Sequence, residues 1–425
     1  MKKAALHNLG CKVNSYETDA MQRMLTEAGY TIVPFDDKAD VYVINTCSVT
    51  NAADHKSRQM IHRAKKANPD GIVVAAGCYV QSADKSIAED DAVDIILGNN
   101  RKSELIELLA QKLDEKKPDN RIEVGDNAER FEELGITQTG GHTRAFIKVQ
   151  DGCNQFCTYC IIPYLRGRIK SRPEENILNE CEALAKNGCR EIVLSAIHLS
   201  SYGKDTGTGL PALLEKLSAI PGIERIRLGS LEPQIITRDF LHALACLPKV
   251  CPHFHLSLQS GSDTVLKRMN RHYTAGEYYE KCCLLREFYE HPAITTDIIV
   301  GFPGESEEEF LQTLQFAREC AFADVHVFKY SKRAGTPAAA MPDQIPERVK
   351  QERSRILIDA ARTMHADFVR WYEGRRVSVL FEETKPVQGR PVTAGYTPEY
   401  VRVTVNGDES LHNRIIELEF QCKLD

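Results

Sequence analysis

Cys153-Asn-Gln-Phe-Cys157-Thr-Tyr-Cys160 sets three thiols at C-x3-C-x2-C spacing, with an aromatic residue just before the last. Three cysteines on one short loop can each hold one iron of a [4Fe–4S] cube, and the fourth iron is then left without a protein ligand. A closed structural zinc site needs a fourth ligand nearby, and none is obvious in this stretch. An open iron can bind and reduce a small molecule. Three more cysteines, Cys11, Cys47 and Cys78, are scattered through the N-terminal part, each just after an apolar run.

Those apolar runs define the elements that must carry the thiols. Residues 4–9, 41–44 and 72–76 read as strands. Asn14 with Glu17 three residues on suggests a capping box for a helix with Met21, Met24, Leu25 and Ala28 on one face and Gly29 at its end. Residues 52–67 read as a polar helix stopping before Asn68-Pro69. Strand and helix alternate, as in a parallel α/β sheet. Cys11, Cys47 and Cys78 each fall one or two residues past the end of one of these strands. Open parallel sheets gather their ligands at the carboxyl edge, so three distant cysteines can converge there as a second three-ligand site. The pattern alone equally allows three unrelated cysteines.

Residues 114–142 are rich in Asp, Glu, Lys, Gly and Thr without steady apolar period, and read as a linker. Strand-like runs then recur at 145–150, 191–196, 225–230, 254–258, 294–300 and 324–328, with helical segments between. Six such units fit an open parallel barrel, short of the eight of a closed one, with ligand chemistry at the C-terminal strand ends where Cys153 lies. In the fourth run His253, His255, Ser257 and Gln259 alternate with Phe254, Leu256 and Leu258. An apolar face under helices leaves the polar face pointing into the barrel, with room for a polar cofactor. A long helix over 346–372 follows, with Trp371 at its end as a packing residue. From Gly374 the texture turns to alternating β runs, 377–381 and 400–405, separated by Pro, Gly and Asn-Gly turns.

Composition bounds the rest. A chain of 425 residues with 42% apolar content supports two or three globular domains. No apolar run reaches the roughly 18 residues of a membrane span, so no membrane association is expected. The N-terminus shows no apolar signal region, and fourteen cysteines then argue for reduced thiols and metal ligation in the cytoplasm. Cys181, Cys189, Cys246, Cys251, Cys282, Cys283, Cys320 and Cys422 are expected to be small buried hydrophobes. The net charge of −6 argues against general polyanion binding. Two local runs differ: Lys56, Arg58, Arg63, Lys65 and Lys66 against Asp54, and Arg166, Arg168, Lys170 and Arg172 without an acid. Both follow candidate metal cysteines and are expected to meet an anionic substrate.

The C-x3-C-x2-C loop resembles the signature of radical S-adenosylmethionine (SAM) enzymes. Leu9-Gly-Cys11-Lys-Val-Asn14, Asn45-Thr-Cys47-Ser-Val-Thr50 and Ala76-Gly-Cys78 resemble the three cysteine motifs of the methylthiotransferase family of those enzymes, in the right order along the chain. The resemblance implies a catalytic [4Fe–4S] cluster on Cys153, Cys157 and Cys160 that splits SAM to a 5′-deoxyadenosyl radical. It implies an auxiliary [4Fe–4S] cluster on Cys11, Cys47 and Cys78 through which sulfur arrives. A second SAM supplies the methyl group. Ser195, Ser230, Glu232, Ser257 and Gln259 fall in segments that resemble those lining the SAM site, as do Asp297, Gly301-Phe-Pro-Gly304 and Tyr330–Pro337.

The implied organisation is a methylthiotransferase domain over 1–113, a linker over 114–142, a partial (β/α)6 radical SAM barrel with its terminal helix over 143–373, and a small β-barrel over 374–425 that resembles the RNA-binding TRAM module. Arg375, Arg376, Arg390, Tyr396 and Arg402 are its candidate RNA contacts. Implied partners are tRNA, a flavodoxin- or ferredoxin-like electron donor and a sulfur donor. Residues 9–14 look most like the branch acting on N6-threonylcarbamoyladenosine beside the tRNA anticodon. The isopentenyladenosine branch typically carries Gly-Cys-Gln-Met-Asn, and the ribosomal protein branch Gly-Cys-Pro-Lys-Asn. The other readings are a methylthiotransferase for one of those two substrates, and a non-enzymatic iron–sulfur RNA-binding or electron-transfer protein.

Overall fold

Ala-Ala-Leu, Val-Tyr-Val-Ile and Ile-Val-Val-Ala-Ala are apolar on both faces, which suits strands covered by helices on both sides. The computed structural model, which describes residues 2–82, 87–114, 130–138 and 143–421, places them so. Most of the expected linker, and Cys422, lie outside the described residues. The chain runs β1 (Lys3–Asn8), α1 (Lys12–Glu27), β2 (Thr31–Ile32), β3 (Val41–Thr46), α2 (Asn51–Ala67), β4 (Ile72–Gly77), α3 (Cys78–Ser82), β5 (Ile95–Leu97) and α4 (Leu105–Leu113). The strands form one parallel sheet in the order β2-β1-β3-β4-β5. Tyr42, Ile44, Val73 and Ala75 pack under Met60 and Ile61 of α2. Val41, Val43 and Val74 pack under Met21 and Leu25 of α1 and Leu105 and Leu109 of α4. The chain reverses its winding at β1, so the crevice between the ends of β1 and β3 is the expected ligand position of such a sheet.

The second part runs β6 (Arg144–Asp151), α5 (Ile162–Arg166), β7 (Lys170–Ser171), α6 (Glu174–Lys186), β8 (Glu191–Ala196), α7 (Leu210–Ser218), β9 (Arg225–Leu228), α8 (Arg238–Ala245), β10 (His253–His255), α9 (Asp263–Arg268), α10 (Ala275–Phe288), β11 (Ala293–Val300), α11 (Glu307–Cys320), β12 (Asp324–Lys329), α12 (Pro337–Ala340) and α13 (Glu347–Arg370). Strands β6, β8 and β9 are parallel neighbours, as are β10, β11 and β12. Parallel bridges Ile226–Val250 and Leu231–Leu256 join the two groups. The result is six parallel strands of an open barrel, with antiparallel β7 at the β6 edge. Ala145, Ile147 and Val149 face outward with Ile177, Leu184, Leu213 and Leu217. Tyr16 and Ala20 of α1 belong to that same core, as do Leu134 and Ile136. The N-terminal domain is thereby packed against the barrel through α1.

The last part, β13 (Arg376–Val387), β14 (Arg390–Tyr396), β15 (Arg402–Asn406) and β16 (Ile415–Glu419), is an antiparallel sheet in the order β15-β14-β13-β16. Val377, Val379, Phe381, Val403 and Phe420 form its core together with Phe368 and Tyr372. The segment 396–401 reaches under the barrel: Tyr400 stacks on His253 with ring centroids 5.2 Å apart. Arg225 donates to the Tyr396 carbonyl at 2.8 Å and Arg227 to that of Pro398 at 2.7 Å. Among the described residues, no helix is long and apolar enough to cross a membrane.

Candidate active site: two thiol sets and a polar barrel cavity

Cys153 follows β6 directly, so the strand end sets the loop's position. Gly152 is left-handed at φ +72, and a Cβ there would lie 1.8 Å from the Arg168 carbonyl oxygen. That contact lets the Cys153 N–H reach the Gly167 carbonyl at 3.0 Å and closes the loop. The far side is tied down by the Thr158 N–H to the Met269 carbonyl, 3.0 Å, and by Asn270 to the Phe156 carbonyl, 3.1 Å. Arg271 donates to the Cys157 sulfur at 3.1 Å and to both Glu232 oxygens at 2.7 and 2.6 Å. Burial, with Cys157 adding to it, pushes the Cys160 thiol up to about 12. Burial likewise pushes Cys153 to about 11. Both thiols are therefore protonated at neutral pH without metal, and ligation releases their protons. A Gly152→Ala protein is expected to lose most of the iron held by this loop while keeping that of the N-terminal domain. Iron per chain after anaerobic reconstitution checks this.

Cys11, Cys47 and Cys78 stand at the carboxyl ends of β1, β3 and β4, the edge where the sheet topology puts its ligand. Gly10, at φ +104, lies so close to Cys47 that a Cβ would sit 2.9 Å from its sulfur. Burial and then the charges of nearby Cys78 and Cys11 push Cys47 to about 11. Cys78 packs against Ile161 and Leu165, the residues just after the other thiol set. Asn99 links the same two places, lying 3.8 Å from the Cys78 sulfur and donating to the Leu165 carbonyl at 3.2 Å.

The expected Asn14–Glu17 capping box is not formed. Helix α1 starts from Cys11, and its first turn has no side-chain cap. Asn14 is inside the helix and donates to the Leu9 and Thr46 carbonyls, at 2.7 and 3.0 Å, which holds the β1 and β3 ends together. Glu17 instead receives Lys102 at 3.1 Å, Lys148 at 2.8 Å and Arg166 at 2.9 Å. Lys148 and Arg166 also pair with Asp151, at 2.6 and 3.0 Å. All five groups are buried. Three cations meet two carboxylates, and the excess charge lies beside the N-terminal thiols: Arg166 opposes the burial that raises Cys11.

This corrects the reading of residues 166–172 as a substrate-facing run. Arg166 is buried in that cluster, Arg172 pairs with Glu180 and Glu133, and Lys170 is buried; only Arg168 faces solvent. On α2, by contrast, Lys56, Arg58 and Lys66 are exposed. Tyr396 is stacked on Tyr400 at 4.6 Å under Arg144, so it is committed within the protein. Arg375 covers Trp371, while Arg376, Arg390 and Arg402 are exposed. Among the other cysteines, Cys246 is exposed and Cys283 half-buried; Cys181, Cys189, Cys251, Cys282 and Cys320 are buried.

A cavity of about 630 Å³ occupies the barrel interior between Cys11 and Tyr400. Ser195 and Ser230 line it, with His253, His255, Asp297 and His326 on the polar face. Glu232 is placed elsewhere, under the Cys157 loop with Arg271 and 3.8 Å from His198. Ser257 offers its carbonyl to Tyr273 at 2.5 Å, and Gln259 is buried with left-handed backbone at φ +72. Arg271, Asn99 and Lys102 escaped sequence reading, because single polar residues far from the cysteines carry no local pattern.

The thiol spacing bears on what the sets can hold. Among the described residues, only His255, Asp297 and His326 bring three ligand atoms within 4.8 Å of one another. A single tetrahedral zinc with Zn–S near 2.3 Å needs sulfurs about 3.8 Å apart. Neither thiol set closes that far, whereas ligands to different irons of one cluster are wider apart. The His255 ring nitrogens lie within reach of the Thr295 hydroxyl at 3.0 Å and of Asp297 at 3.3 Å.

Comparison with known proteins places these features. A model described as uncharacterized protein family UPF0004 matches residues 3–98, and a radical SAM superfamily model matches 147–317. The threonylcarbamoyladenosine tRNA methylthiotransferase MtaB of Bacillus subtilis (strain 168) is 41% identical over 99% of this chain and 94% of its own. Its namesake from Aquifex aeolicus (strain VF5) is 40% identical over 93% and 95%. The tRNA-2-methylthio-N(6)-dimethylallyladenosine synthase of Pelotomaculum thermopropionicum is 37% identical over 98% and 94%. Among solved structures, the radical SAM methyltransferase TsrM from Kitasatospora setae, with cobalamin and a [4Fe-4S] cluster bound, superposes with TM-score 0.57 at 14% identity. That match covers 80% of this chain and 77% of that one, and the likeness is one of fold.

Proposed function

The chain belongs to the radical SAM methylthiotransferase family, and from that premise we propose that it methylthiolates C2 of N6-threonylcarbamoyladenosine at position 37 of tRNA, next to the anticodon. The family uses SAM and [4Fe–4S] clusters, and with them bound the chemistry is radical: a C–H bond without an acidic proton is opened where a base cannot open it. Cys153, Cys157 and Cys160 hold one cluster, and Cys11, Cys47 and Cys78 the other. Arg271 steadies the Cys157 sulfur by its hydrogen bond, and Glu232 fixes Arg271. Ser195, Ser230, Ser257 and Gln259 supply polar contacts for SAM around the strand ends.

Residues 1–113 act as the auxiliary-cluster domain, 143–373 as the radical SAM core and 374–425 as the RNA-binding module, joined over 114–142. Arg376, Arg390 and Arg402 with the exposed cations of α2 meet tRNA phosphates, so binding weakens as salt rises. A flavodoxin- or ferredoxin-like protein supplies electrons, and a separate donor supplies sulfur. The enzyme works in the cytoplasm.

The observation that carries this reading is the packing of Cys78, from one three-thiol set, against Ile161 and Leu165, on the segment that follows the other set. An anaerobic assay tests it: reconstituted protein, SAM, a strong reductant and tRNA carrying threonylcarbamoyladenosine, with nucleosides read by mass spectrometry. The expected product is 2-methylthio-N6-threonylcarbamoyladenosine, with 5′-deoxyadenosine. Methylthiolation of isopentenyladenosine alone would keep the chemistry and overturn the substrate.

A further inference from the structure

Three cations line the barrel cavity: Lys12, Arg144 and Arg227. Two are spent within the protein. Arg144 pairs with Glu382 at 2.7 Å, and Arg227 pairs with Glu191 at 2.8 Å and donates to the Pro398 carbonyl. Lys12 makes no ion pair and no hydrogen bond with any described residue. The carboxylates whose charge reaches it are Asp297 and Glu191. Both are engaged, Asp297 by His255 at 3.3 Å and Glu191 by Arg227. Lys12 also directly follows Cys11 in the chain, at the start of α1. Asp297, Asp324 and Glu399 line the cavity as well, so it is the unpaired Lys12 ammonium, and not a net positive lining, that offers an anion a partner there.

The substrate assigned above carries one. Its threonyl group ends in an α-carboxyl, ionised at neutral pH because such groups titrate near roughly 3.5. We propose that Lys12 binds this carboxylate and so selects adenosines with an anionic N6 substituent over those with an uncharged one. The inference rests on the threonylcarbamoyladenosine reading and adds the residue that reads it. A site whose charged group is left unpaired by the wrong ligand rejects that ligand more strongly than an apolar pocket rejects a misfit. The rest of the cavity suits the threonyl group: Asp297 and His326 face it as polar partners, and Phe146 and Val193 as apolar ones.

The test compares three anticodon stem-loops, carrying at position 37 threonylcarbamoyladenosine, its threonyl methyl ester, or plain adenosine. Dissociation constants are measured on the reconstituted full chain by fluorescence anisotropy. The wild type is expected to hold the free acid on the order of 10- to 100-fold tighter than the ester, the worth of a charged hydrogen bond. Lys12→Met is expected to bind acid and ester alike, and Lys12→Arg to keep most of the preference. The acid-to-ester ratio cancels any general loss of RNA affinity. Equal binding of acid and ester by the wild type, or an unchanged preference in Lys12→Met, overturns the proposal. If Lys12→Met fails to fold or to hold iron, the wild-type ratio and Lys12→Arg decide it. Failure of the underlying reading looks different: the wild type then converts no free acid to methylthio product, whatever it binds.

Discussion

Replacing Cys11, Cys47 and Cys78 together by alanine is expected to abolish the methylthio product while 5′-deoxyadenosine is still formed. Replacing Cys153, Cys157 and Cys160 is expected to abolish both. The two sets belong to different sheets, each held by its own strand ends, so loss of one leaves the other's loop geometry in place. Alanine offers no ligand, and each triple variant should fall from about eight irons per chain to about four. The measurements are iron content after anaerobic reconstitution and mass spectrometry of both products. Normal methylthio product from the N-terminal variant would sink the auxiliary-cluster assignment. Continued SAM cleavage by the other would sink the radical-cluster assignment.

The second large effect is expected at a residue that touches no substrate. Glu17→Ala leaves Lys102, Lys148 and Arg166 buried without their shared carboxylate, with Asp151 still paired to Lys148 and Arg166. Removing one partner of a buried ionic group costs roughly 3–5 kcal/mol. The loss falls at the junction of the two domains, so thermal unfolding should begin at lower temperature and both thiol sets should bind iron poorly. Burial by itself would raise the Glu17 carboxyl, but Arg166, Lys102 and Lys148 hold it well below the ordinary range. Its stabilising contribution is therefore full above the unfolded glutamate value and is lost as pH falls through the lower folded one. A wild-type melting temperature that drops in that acid range, with a flatter dependence in Glu17→Gln, is the expected profile.

Much of this architecture was legible in the residues. The strand runs and the thiols after them are local patterns, and the parallel α/β order follows from alternation, so β1, β3, β4 and six barrel strands fall where the periods place them. The inward polar face of β10 followed from period two. The failures share one cause. Arg166 and Arg172 read as a substrate-facing run because their partners are distant: Glu17 lies 149 residues from Arg166, and no local rule pairs them. Asn14 and Glu17 read as a local cap for the same reason, since spacing suggests a helix start and cannot reveal that Arg166 claims both side chains. Tyr396 looked like a free base-stacking ring until Tyr400 and Arg144 enclosed it. Arg271 belongs to no motif, and only the fold brings it to Cys157.

The floor that segment 396–401 lays beneath the barrel has a consequence for the order in which the molecule is made. Domains fold from the N-terminus as the chain leaves the ribosome. Both thiol sets emerge long before Tyr400, so for a time the nascent barrel has walls and ligands but an open base, with His253, Arg225 and Arg227 exposed to water. A chain stalled before residue 396 would present the same open-bottomed intermediate, reachable from below by solvent or oxidant. Completion of the last sheet is thus also the step that seals the reaction chamber.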